Sequence, residues 1–122
     1  MILCDTNILI EVYKNNSKII AILEKAGQEN VAVSHVTASE LVFGALNKKE
    51  LSLICSDLKK IIVLPVTDAI SQSAFDLMVK FSLSHRLALP DALIAATALD
   101  YDIKLYTLNL KDFRYIPGIK LL

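Results

Sequence analysis

The stretch Met1–Lys14, MILCDTNILIEVYK, runs three apolar residues and a cysteine into Asp5, and apolar residues resume at Ile8. Met1 to Cys4 reads as a short buried strand, and Asn7 to Lys14 carries apolar residues at helical spacing. A carboxylate placed between two such segments is costly beside a core unless something pairs with it. Asp5 therefore either caps the helix that follows or faces a crevice where a cation binds.

Outward from this stretch, helical and strand-like patterns alternate. Lys18 to Ala26 is helical, with Ile19, Ile20, Ile22 and Leu23, and Asn30 to His35 (NVAVSH) is strand-like. Thr37 to Asn47 and Lys48 to Lys59 read as two helices, and Ile61 to Leu64 as a β-branched strand closed by Pro65. Thr67-Asp68 opens a long helix to about His85, and Pro90 starts another to about Asp100. Lys104 to Thr107 and Ile119 to Leu122 complete the strands. The alternation predicts an α/β fold, a three-layer α/β/α arrangement with a parallel sheet of four to five strands, in one domain spanning residues 1–122. Ligands of such sheets bind beyond the carboxyl ends of the strands, where the strand order reverses. Asp5, just after the first strand, has that position.

The bulk properties narrow the class. The 122 residues are enough for a real core, and 54% of them are hydrophobic, with a mean hydropathy of +0.50. Charges interrupt every apolar run before the roughly 18 residues of a membrane span. No basic segment followed by a long apolar run opens the chain, so a cytoplasmic protein is expected. Cys4 and Cys55 lack metal-ligand spacing and read as small buried hydrophobes. Thirteen basic residues balance thirteen acidic ones, which argues against strong nonspecific binding along a nucleic-acid backbone. That balance leaves room for an enzyme that meets nucleic acid through a bound cation.

Most of the acids, among them Glu11, Glu24, Glu29, Glu50, Asp57 and Asp76, fall on solvated helix faces. Glu40 in VTASELVFGAL and Asp91 in LALPDALIAATAL do not. Each has a structural explanation. Thr37-Ala38-Ser39-Glu40 matches the S/T-x-x-E capping box, Asp91 suits the dipole of a first helical turn, and Asp5 suits an N-cap. Taken together, all three stand at helix N-terminal ends, which would converge them at one rim. Ionised carboxylates share a small site only when a cation compensates them. Oxygen ligands of this kind suit Mg²⁺ or Mn²⁺.

With these residues in view, the chain resembles the PIN-domain ribonucleases, and within them the VapC-type toxins of toxin–antitoxin pairs. The resemblance rests on the first strand with Asp5-Thr6-Asn7, on SHVTASEL (Ser34 to Leu41), on PDALIAATAL (Pro90 to Leu99) and on LYTLNLKDF (Leu105 to Phe113). It implies a metal-dependent endoribonuclease, with Asp5 and Asp91 as principal Mg²⁺ or Mn²⁺ ligands and Glu40 as the third acid. The family's fourth acidic position is Asn109 here, which lowers the negative charge of the site. Asp112 lies three residues further and would reach the cluster if a helical turn forms. Thr6, Asn7 and Thr107 are expected to orient carboxylates or water. A metal-activated water would leave 5′-phosphate and 3′-hydroxyl ends and require no histidine base, so His35 and His85 read as structural or surface residues.

The resemblance further implies an antitoxin docked on an apolar groove, formed by surface such as Ile8, Val12, Tyr13 and Phe43, and a homodimer. Lys14, Arg86, Lys111 and Arg114 are the candidates for contact with RNA phosphates. Two rival readings are a catalytically idle PIN-like binding module, which Asn109 keeps open and the presence of Asp5, Glu40 and Asp91 opposes, and a phosphoacceptor signalling domain. The latter needs an acceptor aspartate after the third strand, and Leu64-Pro65-Val66 stands there.

Overall fold

A computed structural model describes all residues, 1–122. The strands are β1 (Ile2–Cys4), β2 (Val31–Ser34), β3 (Ile62–Leu64) and β4 (Lys104–Tyr106). The helices are α1 (Thr6–Tyr13), α2 (Ser17–Ala26), α3 (His35–Phe43), α4 (Lys48–Leu58), α5 (Asp68–His85) and α6 (Leu89–Tyr101). All strand pairs are parallel, in the order β3-β2-β1-β4. The order runs outward from β1 to β3 and then jumps back across the sheet to β4, so it reverses between β1 and β4.

Alternation along each strand supplies both faces of the sheet. Leu3, Ala32, Leu64 and Leu105 point to one side and pack with Ile94, Ala95 and Ala98 of α6. Cys4, Val31, Val33 and Tyr106 point to the other and pack with Ile8 of α1 and Ile19 of α2. Because parallel crossovers are right-handed, reversing the direction of travel moves the connecting helices to the opposite face. α5 and α6, which connect β3 to β4, accordingly cover the face opposite α1 and α2. α5 closes over α6 through Ile70 and Ala74 against Ala92 and Ala96. This is the expected three-layer α/β/α arrangement.

Three local expectations differ from the structure. Ile119–Leu122 does not form a fifth strand: it contributes one parallel bridge, Leu105 to Leu121. Pro117 lacks an N–H, Gly118 turns with φ +81°, and the Ile119 N–H bonds back to Ile116, so extension begins only near Lys120. The Thr37–Glu40 capping box is absent. Ser34 caps α3 by accepting from the Val36 N–H, which leaves Glu40 in the middle of the helix. A reciprocal cap forms instead at α4, where Asn47 accepts from the Glu50 N–H and Glu50 accepts from the Leu46 N–H. Finally, Cys4 is fully buried, but Cys55 lies on the outer face of α4 and is exposed.

Candidate active site

Asp5 is built by the fold at the point where the strand order reverses. Its backbone N–H donates to the Tyr106 carbonyl at 2.9 Å, which ties the end of β1 to the end of β4. It is also the N-cap of α1, and Oδ1 accepts from the Thr6 N–H at 2.7 Å. The capping role and the position at the strand ends therefore coexist. Oδ2 accepts from the Thr107 hydroxyl at 2.8 Å and from Asn7 Nδ2 at 3.2 Å. Thr107 Oγ1 in turn accepts from the Asn109 N–H, and Asn7 Oδ1 accepts from the Leu108 N–H. Thr6, Asn7 and Thr107 thus all donate to this carboxylate. Asp5 is only 5% exposed. Burial and the charge of Glu40 push its carboxyl up, while hydrogen bonds from Thr107, Thr6 and Asn7 pull it down; the net direction is up. The same burial and the adjacent Asp5 charge push the Cys4 thiol to about 12, which leaves it an inert core group.

Glu40 reaches the rim from α3. Its Oε1 accepts from the Thr6 hydroxyl at 2.7 Å, and that hydroxyl lies 3.1 Å from the hydroxyl of the fully buried Thr37. Thr37 thus links α3 to α1 beside the site, a role that sequence reasoning missed by assigning it to a cap. Asp91 stands in the first turn of α6, whose N-cap, Ala88, offers no side-chain hydrogen bond. Burial first, and then the charges of Asp5, Asp112 and Glu40, push Asp91 up to about 6. Asp112 does come into range, because Leu110–Asp112 forms a 3₁₀ turn after β4. The Asn109 side chain is exposed and engages no other group.

The charges of Asp5, Asp112 and Glu40 all act on Asp91, and that of Glu40 acts on Asp5. No three of the chain's His, Cys, Asp or Glu side chains converge closely enough to hold an ion as they stand. The donor chemistry fits a hard divalent cation, but the carboxylates do not meet at one point.

A cavity of about 310 Å³ opens beside Asp91 and is lined also by Arg86, Lys111 and Asp112. Arg114 is exposed and lines no part of it. Lys14 follows the far end of α1, about 12 Å of helix away from Asp5, and pairs with Glu11 at 3.9 Å. The structure does not bring it to the rim. On the opposite side of the sheet a larger groove of about 520 Å³ runs between α1, α2 and the end of α4. Leu9, Val12, Tyr13, Ile20 and Leu23 line it, and the Tyr13 hydroxyl donates to Asp57 Oδ2 at 2.8 Å. Ile8 is core, and Phe43 is almost fully exposed outside this groove.

Comparison with known proteins agrees with the fold. Residues 2–118 match the PIN domain family model. Over 122 residues the chain is 34% identical to Ribonuclease VapC10 of Mycobacterium tuberculosis, covering 98% of this chain and 91% of that protein. A toxin-antitoxin complex from Klebsiella pneumoniae contains a chain with TM-score 0.82 and 31% identity, covering 98% of this chain and 95% of that one. The structure of VapBC-1 from nontypeable Haemophilus influenzae gives TM-score 0.84 at 28% identity, covering 100% and 97%.

Proposed function

The chain belongs to the PIN domain family, and from that membership we propose that it is a metal-dependent endoribonuclease acting as the toxin of a toxin–antitoxin pair. Residues 1–122 are read as one such domain. The observation that carries the reading is Asp5, a buried carboxylate at the reversal of strand order that keeps both oxygens hydrogen-bonded and faces Glu40 and Asp91 across the rim. A structural cap needs neither the burial nor the neighbouring acids.

In this reading Asp5 and Asp91 hold the cation, Mg²⁺ with Mn²⁺ able to substitute, and Glu40 completes the acidic set. When bound, a divalent ion supplies Lewis-acid chemistry that offsets the charge of the scissile phosphate and lowers the pKa of water. The chain's own groups do the rest. Thr107, Asn7 and the Thr6 N–H hold the Asp5 oxygens in one orientation, so little reorganisation is needed when charge develops. The Thr6 hydroxyl donates to Glu40 and directs it to the rim. Asp91, pushed up to about 6 by burial and the neighbouring acids, would be held ionised by a bound cation, which offsets that repulsion. Asp112 adds charge beside Asp91, and Asn109 leaves that side of the rim less negative than a fourth carboxylate would.

The partners in this reading are RNA as substrate, a small antitoxin protein seated in the apolar groove between α1, α2 and α4, and a second copy of the chain, all in the cytoplasm. No helix is long and apolar enough to cross a membrane. The wide spacing of the acids and the amide at Asn109 favour a second reading, an idle module that only binds its partner.

RNA cleavage by the purified chain separates the two. Cleavage abolished by EDTA, restored by Mn²⁺ and yielding 5′-phosphate ends supports the nuclease. Full activity in EDTA refutes the metal mechanism, and no cleavage under any metal leaves the binding module.

A further inference from the structure

The cavity beside Asp91 has three features that the acidic rim does not use. The first is its cations. Arg86 and Lys111 line it together with Asp91 and Asp112, yet neither forms an ion pair or a side-chain hydrogen bond. The chain's ion pairs are Lys14–Glu11, Lys60–Asp57 and Lys120–Asp102. The second feature is an aromatic wall. The His85 ring lies flat on Tyr115, with centroids 3.8 Å apart and planes 12° from parallel, and both rings line the cavity. Phe81 braces the pair edge-on, at 5.6 Å from His85 and 5.0 Å from Tyr115. His85 is exposed, so the stack ends in solvent. The third feature is backbone conformation. Arg86 ends α5 with φ 57° and ψ 35°, a left-handed conformation that glycine adopts freely and a residue with a Cβ adopts at a cost. An arginine kept in that conformation, at the wall of a cavity, points to use of its side chain.

We propose that this cavity is the seat of one nucleotide adjacent to the scissile phosphate, its base stacked on the His85–Tyr115 pair and its phosphate gripped by Arg86 and Lys111. The inference rests on the ribonuclease reading above. Proteins take single-stranded RNA by combining aromatic stacking of unpaired bases with basic contacts to the backbone, and both are present here. The volume is at the low end for small-molecule sites, which run from about 300 to 1,000 Å³, so it suits one nucleotide and not a duplex. Since neither Arg86 nor Lys111 is paired with an acid, both are free to take a phosphate. Asp91 belongs to both the cavity and the acidic rim, which joins the seat to the reacting phosphate. The guanidinium of Arg86 adds a planar fork that fits phosphate oxygens.

The test is steady-state cleavage of a short mixed-sequence oligoribonucleotide in Mn²⁺, with the melting temperature of every variant measured. His85→Ala is expected to raise KM about tenfold with kcat within about twofold, and His85→Phe to restore KM. Arg86→Gly and Lys111→Gln are each expected to reduce the slope of log KM against log salt by about 0.7, the value of one phosphate contact on a single strand. Arg86→Gly should melt no lower than wild type, because glycine accepts the backbone. Wild-type KM and slope in His85→Ala and Arg86→Gly would overturn the seat while leaving the ribonuclease intact. A His85→Ala chain without a folding transition would assign the stack to stability and overturn it too. A wild-type chain that cuts nothing would remove the ribonuclease reading itself, and the seat with it.

Discussion

Asp5→Asn separates a cap from a cation ligand, and the structure sets the size of each effect. Asparagine caps a helix about as well as aspartate, and its Oδ1 can still accept from the Thr6 N–H. The new Nδ2 takes the place of the oxygen that accepts from Thr107 and Asn7. Thr107 can rotate its hydroxyl to accept instead, but the Asn7 amide then faces another amide. The raised pKa of Asp5 means that burial and Glu40 already outweigh the hydrogen bonds that favour its charge, so deleting the charge carries no net penalty. What remains is one mismatched amide, about 1 kcal/mol. At roughly 2.1 cal/mol/K of unfolding entropy per residue, a chain of 122 residues loses about 4 °C in Tm for that amount. Ligand linkage works in the other direction. Mn²⁺ at about 100 times its Kd stabilises the wild type by about 2.7 kcal/mol, or roughly 10 °C, and is expected to do little for the variant. Cleavage should fall by at least about 100-fold, equivalent to about 2.7 kcal/mol in the barrier. Differential scanning fluorimetry with and without Mn²⁺, beside an RNA cleavage assay, reads all three quantities. An Asp5→Asn protein that cuts RNA at the wild-type rate, or gains the same Mn²⁺ shift, refutes the reasoning and returns Asp5 to a cap.

Three further outcomes follow from the same geometry. Glu40→Gln keeps an acceptor for the Thr6 hydroxyl on an exposed side chain, so Tm should stay within about 2 °C while cleavage falls at least about tenfold, or about 1.4 kcal/mol; wild-type cleavage would remove Glu40 from the site. Thr107→Val strips a buried hydroxyl from Asp5 and from the Asn109 N–H, a loss of about 1.5–3 kcal/mol and roughly 6–12 °C, which Thr107→Ser should largely recover. A Val variant as stable as wild type would show that Asp5 needs no such donor. Asp91, raised to about 6, favours the metal-free fold most strongly below its ordinary value of 3.8 and loses that contribution as pH rises through about 6. Between about pH 4 and pH 7 the wild-type Tm should therefore fall relative to that of Asp91→Asn, and a gap that stays constant in EDTA would contradict the repulsion among the acids.

Much of this protein is determined by the sequence alone, because hydrophobic periodicity records which side of each element is buried. The alternation of period-two and helical patterns is enough for a parallel three-layer sheet. α5 is also local information, since Thr67 accepts from the Ile70 N–H and His85 is its last residue, as the pattern from Thr67-Asp68 to His85 indicates. Asp5 at a strand end was legible for the same reason, and the matched motifs identify the family. Periodicity does not record which elements become neighbours, and there tertiary structure decided. Thr37-Ala38-Ser39-Glu40 has the letters of a capping box, but α3 begins at His35 with Ser34 as its cap, which frees Glu40 to meet Thr6, 34 residues earlier. Thr107 finds Asp5 across 102 residues only because β4 pairs with β1. Asp112 reaches Asp91 only because the chain after β4 makes a 3₁₀ turn, and His85 meets Tyr115 only because the end of α5 lies beside the chain beyond that turn. Local sequence selects strands, helices and their buried faces, and the packing of distant segments alone decides which polar side chains share a rim.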